Sequence, residues 1–152
     1  MRHLLPANPG YLERLRESFA RQAVMKTLGA SLDAVEPGRV VIVMHHKPEL
    51  TQQHGFLHAG IVATALDSAC GYAAFTLMPA DAAVLTIEFK INLLAPARGP
   101  WFRFEGRVAK AGRTISVVEG QAFQHEAGAD NDVLCATMTA TVMTVQGRGL
   151  SH

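Results

Sequence analysis

Hydrophobic and polar positions along this chain change their spacing several times, and each spacing predicts a different element. Residues 8–25 open with Asn8 and Pro9, which suit the cap and the first position of a helix. Apolar side chains then recur every three or four residues between charged ones, which predicts an amphipathic cover helix. The apolar stripe of this helix consists of Leu12, Leu15, Phe19 and Ala23.

Two-residue alternation follows and predicts strands. Residues 28–46 contain two short apolar runs separated by Pro37-Gly38, a pair of residues typical of a tight turn. Residues 84–96 alternate strictly between apolar and polar positions, which is the pattern of a half-buried strand. The apolar positions of that strand are Leu85, Ile87, Phe89, Ile91 and Leu93.

The last third of the chain predicts three further strands. Residues 101–123 form two strands with a tight turn at Lys110–Gly112, and residues 133–143 form the last strand. We expect the segment 146–152, which is rich in glycine and polar residues, to be frayed.

Residues 58–78 are nearly all apolar or small, with one carboxylate, Asp67, in the middle. The stretch is long enough to span a bilayer, but this central charge and the lack of charged flanks favour a buried helix. A helix that is apolar on nearly all sides must be wrapped by other elements. Strands joined by short turns are antiparallel, so the sequence predicts an α+β hotdog fold, with a curved antiparallel sheet around one long central helix.

Size and composition place few further limits on the molecule. A chain of 152 residues predicts one domain over 1–152, with its core at about 28–145. The net charge of +1 does not indicate a nucleic acid or a membrane as a partner. With no secretory signal in the first residues, the predicted location is cytoplasmic. Cys70 and Cys135 are therefore expected to be reduced, and neither lies in a thiol-activating motif.

The start of the central helix carries the most specific chemistry. Its first turn, around Ala59, presents unpaired backbone N–H groups that can hold a carbonyl oxygen as it gains negative charge. Asp67 lies eight residues further on, which is about 12 Å along the helix axis. One carbonyl cannot contact both groups of the same chain. Two antiparallel copies of the helix would bring Ala59 of one beside Asp67 of the other, which predicts a homodimer with two shared sites.

Three segments together resemble a known family. The stretch "QQHGFLHAGIVATALDSACGYAA", followed by "VLTIEFKINLLAPA" and "GRVAKAGRT", is similar to the hotdog-fold acyl-CoA thioesterases of the phenylacetic-acid-degradation (PaaI) type. The resemblance spans about residues 50–143 and implies hydrolysis of an acyl-CoA thioester. It implies no metal or redox cofactor, since coenzyme A is part of the substrate. It also implies a homodimer, with association into a homotetramer as the further expectation.

The resemblance assigns roles to individual positions. Asp67 matches the catalytic acid, as nucleophile or general base. His58 and Gly60 match their motif positions, and Gly60 is also assigned to the neighbourhood of coenzyme A. Ala59 stands where glycine is usual, but the backbone N–H that would polarise the thioester carbonyl remains.

Four further positions follow from the same resemblance. Gln52 or Gln53 supplies a side-chain amide to the thioester carbonyl, and the sequence does not decide which. Thr86 occupies a position where a hydroxyl assists the acid, although its parity puts it off the apolar face of its strand. Arg113, beside Gly112, lies where relatives approach the phosphates of coenzyme A. The acyl group is expected beside Ile61, Leu66, Tyr72 and Phe75.

Other interpretations of these residues stay open. A hotdog protein that binds acyl-CoA without cleaving it would keep the pocket but would not need Asp67. A hydratase on the same fold would pair a histidine with a carboxylate, and no such motif surrounds His58. His54 and His58 have the spacing of metal ligands on a helix, but Gly55 and a loop lie between them, so no metal site is predicted.

Overall fold

A computed structural model describes residues 4–152 as three helices and six strands. The helices are α1 (Tyr11–Arg21), α2 (Ala23–Leu28) and α3 (Ala59–Phe75), with a short 3-10 helix at Pro48–Leu50. The strands are β1 (Ser31–Glu36), β2 (Arg39–His45), β3 (Ala83–Leu93), β4 (Trp101–Lys110), β5 (Ile115–His125) and β6 (Val133–Val145).

The six strands form one antiparallel sheet in the order β1-β2-β4-β5-β6-β3. α3 packs against every strand except β1, so the sheet wraps around it as the hotdog prediction requires. β3 directly follows α3 in the chain and lies at the edge of the sheet beside β6. The predicted element order and fold are therefore confirmed. No helix within residues 4–152 is long and apolar enough to cross a membrane.

Two glycines let α3 lie close to the sheet. A Cβ added at Gly106 in β4 would lie 2.6 Å from the backbone nitrogen of Cys70, and closer still to the carbonyl of Ala69. A Cβ at Gly120 in β5 would lie 2.9 Å from the sulfur of Cys70. Both positions are buried on the helix side of the sheet. The absence of side chains here fixes how deeply the helix sits, and hence where its two ends emerge.

The cover helix differs from its prediction at both ends. It begins at Tyr11 with Gly10 as its cap, and Asn8 accepts a hydrogen bond of 2.9 Å from Gly10 N in a local turn instead of capping the helix. The helix also breaks at Gln22, whose backbone is extended. The break separates α1 from α2 and leaves the Gln22 side chain against α3, where its amide donates to Ser68 Oγ at 3.2 Å.

The strict alternation predicted for β3 is wrong at one residue. Thr86 pairs with Val142 of β6, but Glu88 pairs with Thr141, so Ile87 is an extra residue in a β-bulge. Directly paired residues of antiparallel strands share a face, and Val142 and Ala140 are buried on the helix side. The bulge therefore turns both Thr86 and Phe89, the partner of Ala140, toward that side.

The apolar positions of β3 are also more exposed than a half-buried strand predicts. Ile87 is 54% exposed and Phe89 is 43% exposed, and Leu85 and Leu93 are similarly open. Since β3 is an edge strand, its outer backbone groups and these side chains are available to another chain.

We predict that Gly106→Ala destabilises the fold by about 1–3 kcal/mol, because the added methyl group would force α3 away from β4. Urea unfolding followed by circular dichroism measures this change. Gly71→Ala is the matched control: nothing lies within 4 Å of a Cβ added at this position in α3. There the exchange should raise the stability by up to about 1 kcal/mol through helix propensity. Equal effects at the two positions would contradict the close helix–sheet contact.

Candidate active site

The first turn of α3 leaves one backbone N–H free. His58 caps the helix, and its Nδ1 accepts a hydrogen bond of 2.9 Å from Gly60 N. The next amides, of Ile61 and Val62, donate to the His58 carbonyl. Within the described residues, the N–H of Ala59 has no acceptor, and Ala59 is exposed. This N–H, at the positive end of the helix dipole, is available to an anionic or strongly polarised oxygen.

The loop before α3 is held in place by backbone hydrogen bonds on both sides. Leu57 N donates to Ala97 O at 2.9 Å, and His58 N donates to Leu50 O at 3.0 Å. A ring nitrogen of His46 lies 2.9 Å from Gly55 O. These bonds tie the helix start to the ends of β2 and β3, so the free amide is attached to a rigid frame.

Asp67 lies two turns further along α3 and is half-buried. The hydroxyl of Thr86 donates a hydrogen bond of 2.7 Å to Asp67 Oδ1. The parity assigned to Thr86 from strict alternation would put it on the far side of the strand. The extra residue at Ile87 changes this expectation. It places the Thr86 side chain on the same face of the sheet as Phe89, which is the face toward α3. The second carboxylate oxygen makes no recorded hydrogen bond among residues 4–152.

The amide at the start of α3 and the carboxylate at its middle open into two different cavities of the same chain. One cavity, of about 430 Å³, is lined by Gln52, His58 and Ala59 and by the apolar side chains of Val62 and Leu93. A second cavity, of about 300 Å³, contains Asp67 and Thr86. No residue lines both cavities. The free amide and the carboxylate therefore do not meet within one chain.

The remaining predicted residues are placed as follows. Gln52 is half-buried and lines the Ala59 cavity, and its Oε1 accepts a hydrogen bond from His54 N. Gln53 is exposed and lines neither cavity. Gly60 is exposed in the first helical turn. Arg113 is exposed in the turn between β4 and β5 and also lines neither cavity.

Several residues of the Asp67 cavity were not predicted from the sequence. Gln22 reaches it from the break between α1 and α2, and its Oε1 is a buried atom without a hydrogen-bond partner in the described part of the chain. Ser18 of α1 lies 3.1 Å from the hydroxyl of Tyr72. In the sequence, both residues are only polar positions of the predicted cover helix. No local pattern indicates that they line a cavity.

The segment 146–152 is also better anchored than the expected frayed tail. Ser151 and His152 form part of the wall of the Asp67 cavity. The two ring nitrogens of His152 lie 3.1 Å from Ser18 Oγ and 3.2 Å from Val84 O.

Of the four side chains expected beside the acyl group, Tyr72 lines the Asp67 cavity and the other three do not. Leu66 and Phe75 are fully buried in the core, and Ile61 lines neither cavity. These three face elsewhere because the helix repeats every 3.6 residues, and only Asp67, Ser68, Gly71 and Tyr72 share the face that the cavity meets.

Both cysteines are buried thiols in surroundings that disfavour the thiolate. Burial, and to a smaller extent the charge of Asp67, raises the pKa of Cys70 to about 12. Burial raises the pKa of Cys135 to about 11. A thiol of such high pKa is a poor nucleophile at neutral pH.

Together, the two cavities offer the parts of an acyl-transfer site. A backbone N–H at a helix start can stabilise an oxyanion. A half-buried carboxylate fixed by a hydroxyl can take a proton from water or attack a carbonyl carbon directly.

Comparison with known proteins points to the same chemistry. A family model described as the thioesterase superfamily matches residues 54–129. A protein of Saccharolobus solfataricus named "Putative esterase" is 38% identical over 110 residues, which cover 71% of this chain and 77% of that protein.

Solved structures extend the likeness to the whole fold. The crystal structure of a thioesterase family protein from Silicibacter pomeroyi is 56% identical, with a TM-score of 0.88, and covers 91% of this chain and 100% of that one. The PaaI protein from the phenylacetic acid degradation operon of E. coli is 16% identical, with a TM-score of 0.81. The match covers 93% of this chain and 97% of the PaaI chain, and at this identity the likeness concerns the fold alone.

We predict that iodoacetamide at pH 8 neither labels nor inactivates the native protein, because both thiols are buried and protonated at this pH. Intact-mass spectrometry before and after denaturation in guanidinium measures the labelling, with two labels expected only after unfolding. Rapid labelling of native Cys70 together with loss of activity would contradict the assignment of the chemistry to Asp67.

Proposed function

Because this chain belongs to the thioesterase superfamily, we propose that it is an acyl-CoA thioesterase with active sites shared between two copies of the chain. The family and the similar proteins establish thioester hydrolysis as the general activity. The family that the resemblance named is confirmed by the family model and the 56% identical thioesterase family protein, and the fold is shared with the PaaI protein of E. coli. Coenzyme A as the thiol, the catalytic residues and the dimer are our proposal. The single observation that carries it is the free Ala59 amide and the fixed Asp67 carboxylate in separate cavities of one chain.

In the proposed site, the thioester carbonyl oxygen accepts a hydrogen bond from Ala59 N–H of one subunit. Gln52 is the amide side chain placed to assist, since it lines the same cavity and Gln53 does not. Negative charge develops on this oxygen as the carbonyl carbon becomes tetrahedral. The positive end of the α3 dipole stabilises that charge more than it stabilises the neutral carbonyl, which lowers the barrier.

Asp67 of the other subunit faces the carbonyl carbon. It either removes a proton from the attacking water or attacks the carbon itself, giving an anhydride that water then cleaves. By both routes a C–O bond forms, the C–S bond breaks, and the coenzyme A thiolate takes up a proton. The Thr86 hydroxyl holds the carboxylate through its 2.7 Å hydrogen bond, which leaves the other oxygen for the reaction. The mechanism needs no metal or redox cofactor.

A second copy of the chain is part of this proposal for two reasons. The α3 spacing of about 12 Å prevents one chain from supplying both groups to one carbonyl. The edge strand β3 exposes apolar side chains, and burying them at about 25 cal/mol per Å² would favour association. We propose a homodimer as the catalytic unit, with a homotetramer as a further assembly of dimers. The unpaired cysteines fit the reducing conditions of a cytoplasmic location.

We predict that Asp67→Asn lowers kcat by about 10²- to 10⁴-fold against acyl-CoA substrates, because the amide can neither accept the proton nor attack. Thr86→Val should lower kcat by about 10- to 100-fold, since a hydrogen bond to a charged group is lost. Thr86→Ser keeps the hydroxyl and is the matched control. A thiol reagent that reports free coenzyme A measures the rates over a panel of acyl groups. Wild-type activity in Asp67→Asn would rule out the mechanism.

A second prediction tests the shared site directly. Ala59→Pro removes the N–H, and the first position of a helix is the one that tolerates proline best. The extended backbone of His58, with φ −58° and ψ 139°, also suits a residue before proline. We expect Ala59→Pro and Asp67→Asn to be inactive separately. Mixed by unfolding and refolding together in equal amounts, they should regain about a quarter of the wild-type activity, because half the dimers contain one intact site.

The controls for the mixing experiment are each variant refolded alone and the wild type refolded under the same conditions. Ala59→Ser keeps the backbone N–H and should remain active. If the mixture stays as inactive as its components while size-exclusion chromatography shows mixed dimers, the two groups do not belong to a shared site.

A non-catalytic acyl-CoA-binding protein is the alternative function. It is disfavoured by the fixed carboxylate, since a binding pocket gains nothing from an anion near the anionic ligand. Calorimetric binding of acyl-CoA with no release of free thiol over hours would support the alternative.

A further inference from the structure

We propose that His152 is a specificity-determining residue that closes the far end of the acyl pocket and limits the length of the acyl group. This inference rests on the proposed function, because it identifies the Asp67 cavity as the acyl pocket. The acyl group continues from the thioester carbonyl at Asp67 into a cavity whose walls include Gly71, Tyr72, Val84 and His152, together with polar side chains from α1 and α3. A cavity of about 300 Å³ is at the small end of ligand pockets.

His152 is held by contacts to three separate elements. One ring nitrogen is hydrogen-bonded to Ser18 of α1 and the other to the carbonyl of Val84 in β3. The ring also packs against Phe75 at the end of α3, with 4.9 Å between the ring centroids. These contacts hold the imidazole ring between α1, β3 and the end of α3, where it forms a wall of the cavity.

The hydrogen bonds fix one form of the imidazole. The Val84 carbonyl can only accept, so Nε2 carries the hydrogen and donates at 3.2 Å. Nδ1 is then an acceptor for the Ser18 hydroxyl, and the Tyr72 hydroxyl in turn donates to Ser18 Oγ at 3.1 Å. Burial first, and then the nearby charges of Arg14 and Arg21, lower the pKa of His152, which favours this neutral form. These hydrogen bonds connect His152 through Ser18 to Tyr72, which also lines the cavity.

An apolar surface lies behind this wall. The Phe75 ring is 1% exposed, with the His152 ring on it and the Arg14 guanidinium carbon 4.3 Å from its centroid. Removing the imidazole would uncover part of Phe75 and the side of Val84. The space left by the imidazole would be bounded by Val84 and by the part of the Phe75 ring that Arg14 does not cover, and a longer alkyl chain could fill it where a short one could not.

The test compares wild type and His152→Ala with butanoyl-CoA and decanoyl-CoA. For His152→Ala we expect the ratio of kcat/KM for decanoyl-CoA to that for butanoyl-CoA to rise by about 10-fold or more, because each added methylene that finds an apolar pocket is worth about 10-fold or more. Ser18→Ala removes the anchor of the ring and should move the ratio in the same direction by a smaller factor. His152→Phe keeps an aromatic wall and should keep the wild-type preference for the short chain.

Leu150→Ala is the matched control, since Leu150 lies two residues away, is 48% exposed and lines neither cavity. Its ratio should equal that of the wild type. Thermal unfolding of each variant shows whether the fold is kept. An unchanged ratio in a folded, active His152→Ala protein would overturn the proposal, and the thioesterase function would stand.

The non-hydrolysable thioethers S-butyl-CoA and S-decyl-CoA distinguish a failure of the proposed thioesterase function from a failure of the His152 proposal. If the wild type hydrolyses no acyl-CoA, the proposed function fails, but calorimetry with these thioethers still tests the wall. A tighter binding of S-decyl-CoA by His152→Ala, with S-butyl-CoA unchanged, would support it. Equal affinities in the two proteins, or no binding of either thioether, would overturn it.

Discussion

The fixed spacing along α3 is the constraint on which the rest of this molecule depends. A helix is a rigid rod, so the free amide at Ala59 and the carboxylate at Asp67 are held about 12 Å apart whatever the surrounding loops do. Gly106 and Gly120 let β4 and β5 approach this helix closely, which holds it in place on the sheet. In the proposed mechanism each group is incomplete alone, and the reaction needs a geometry that a single chain does not contain.

Much of this arrangement could be predicted from the sequence, because the relevant signals are local. The period of apolar positions identifies α3 and the strands, and the turn at Pro37-Gly38 separates β1 from β2. Asp67 stands out because a carboxylate within an apolar helix needs a reason.

The features that could not be predicted depend on contacts between distant segments. The bulge at Ile87 leaves no mark in a strictly alternating sequence, because both neighbours of the extra residue fit the pattern; only pairing with β6 reveals it. Gln22 reaches the cavity because α1 breaks there, and helix periodicity continues across the break. The position of His152 depends on Ser18, Val84 and Phe75, which are far from it in the chain. Distances between remote residues are the information that one-dimensional patterns lack.

The bulge in β3 determines which residue the strand can lose. With Ile87 present and no bulge, Thr86 and Phe89 would be three positions apart in a regular strand and would lie on opposite faces of the sheet. Loss of the Ile87 codon leaves them two positions apart, which is the spacing of side chains on one face. The hydroxyl then still points to Asp67, and the second half of the strand keeps its pairing with β6. Such a deletion removes the exposed Ile87 side chain and the local bend, and it does not turn the strand over.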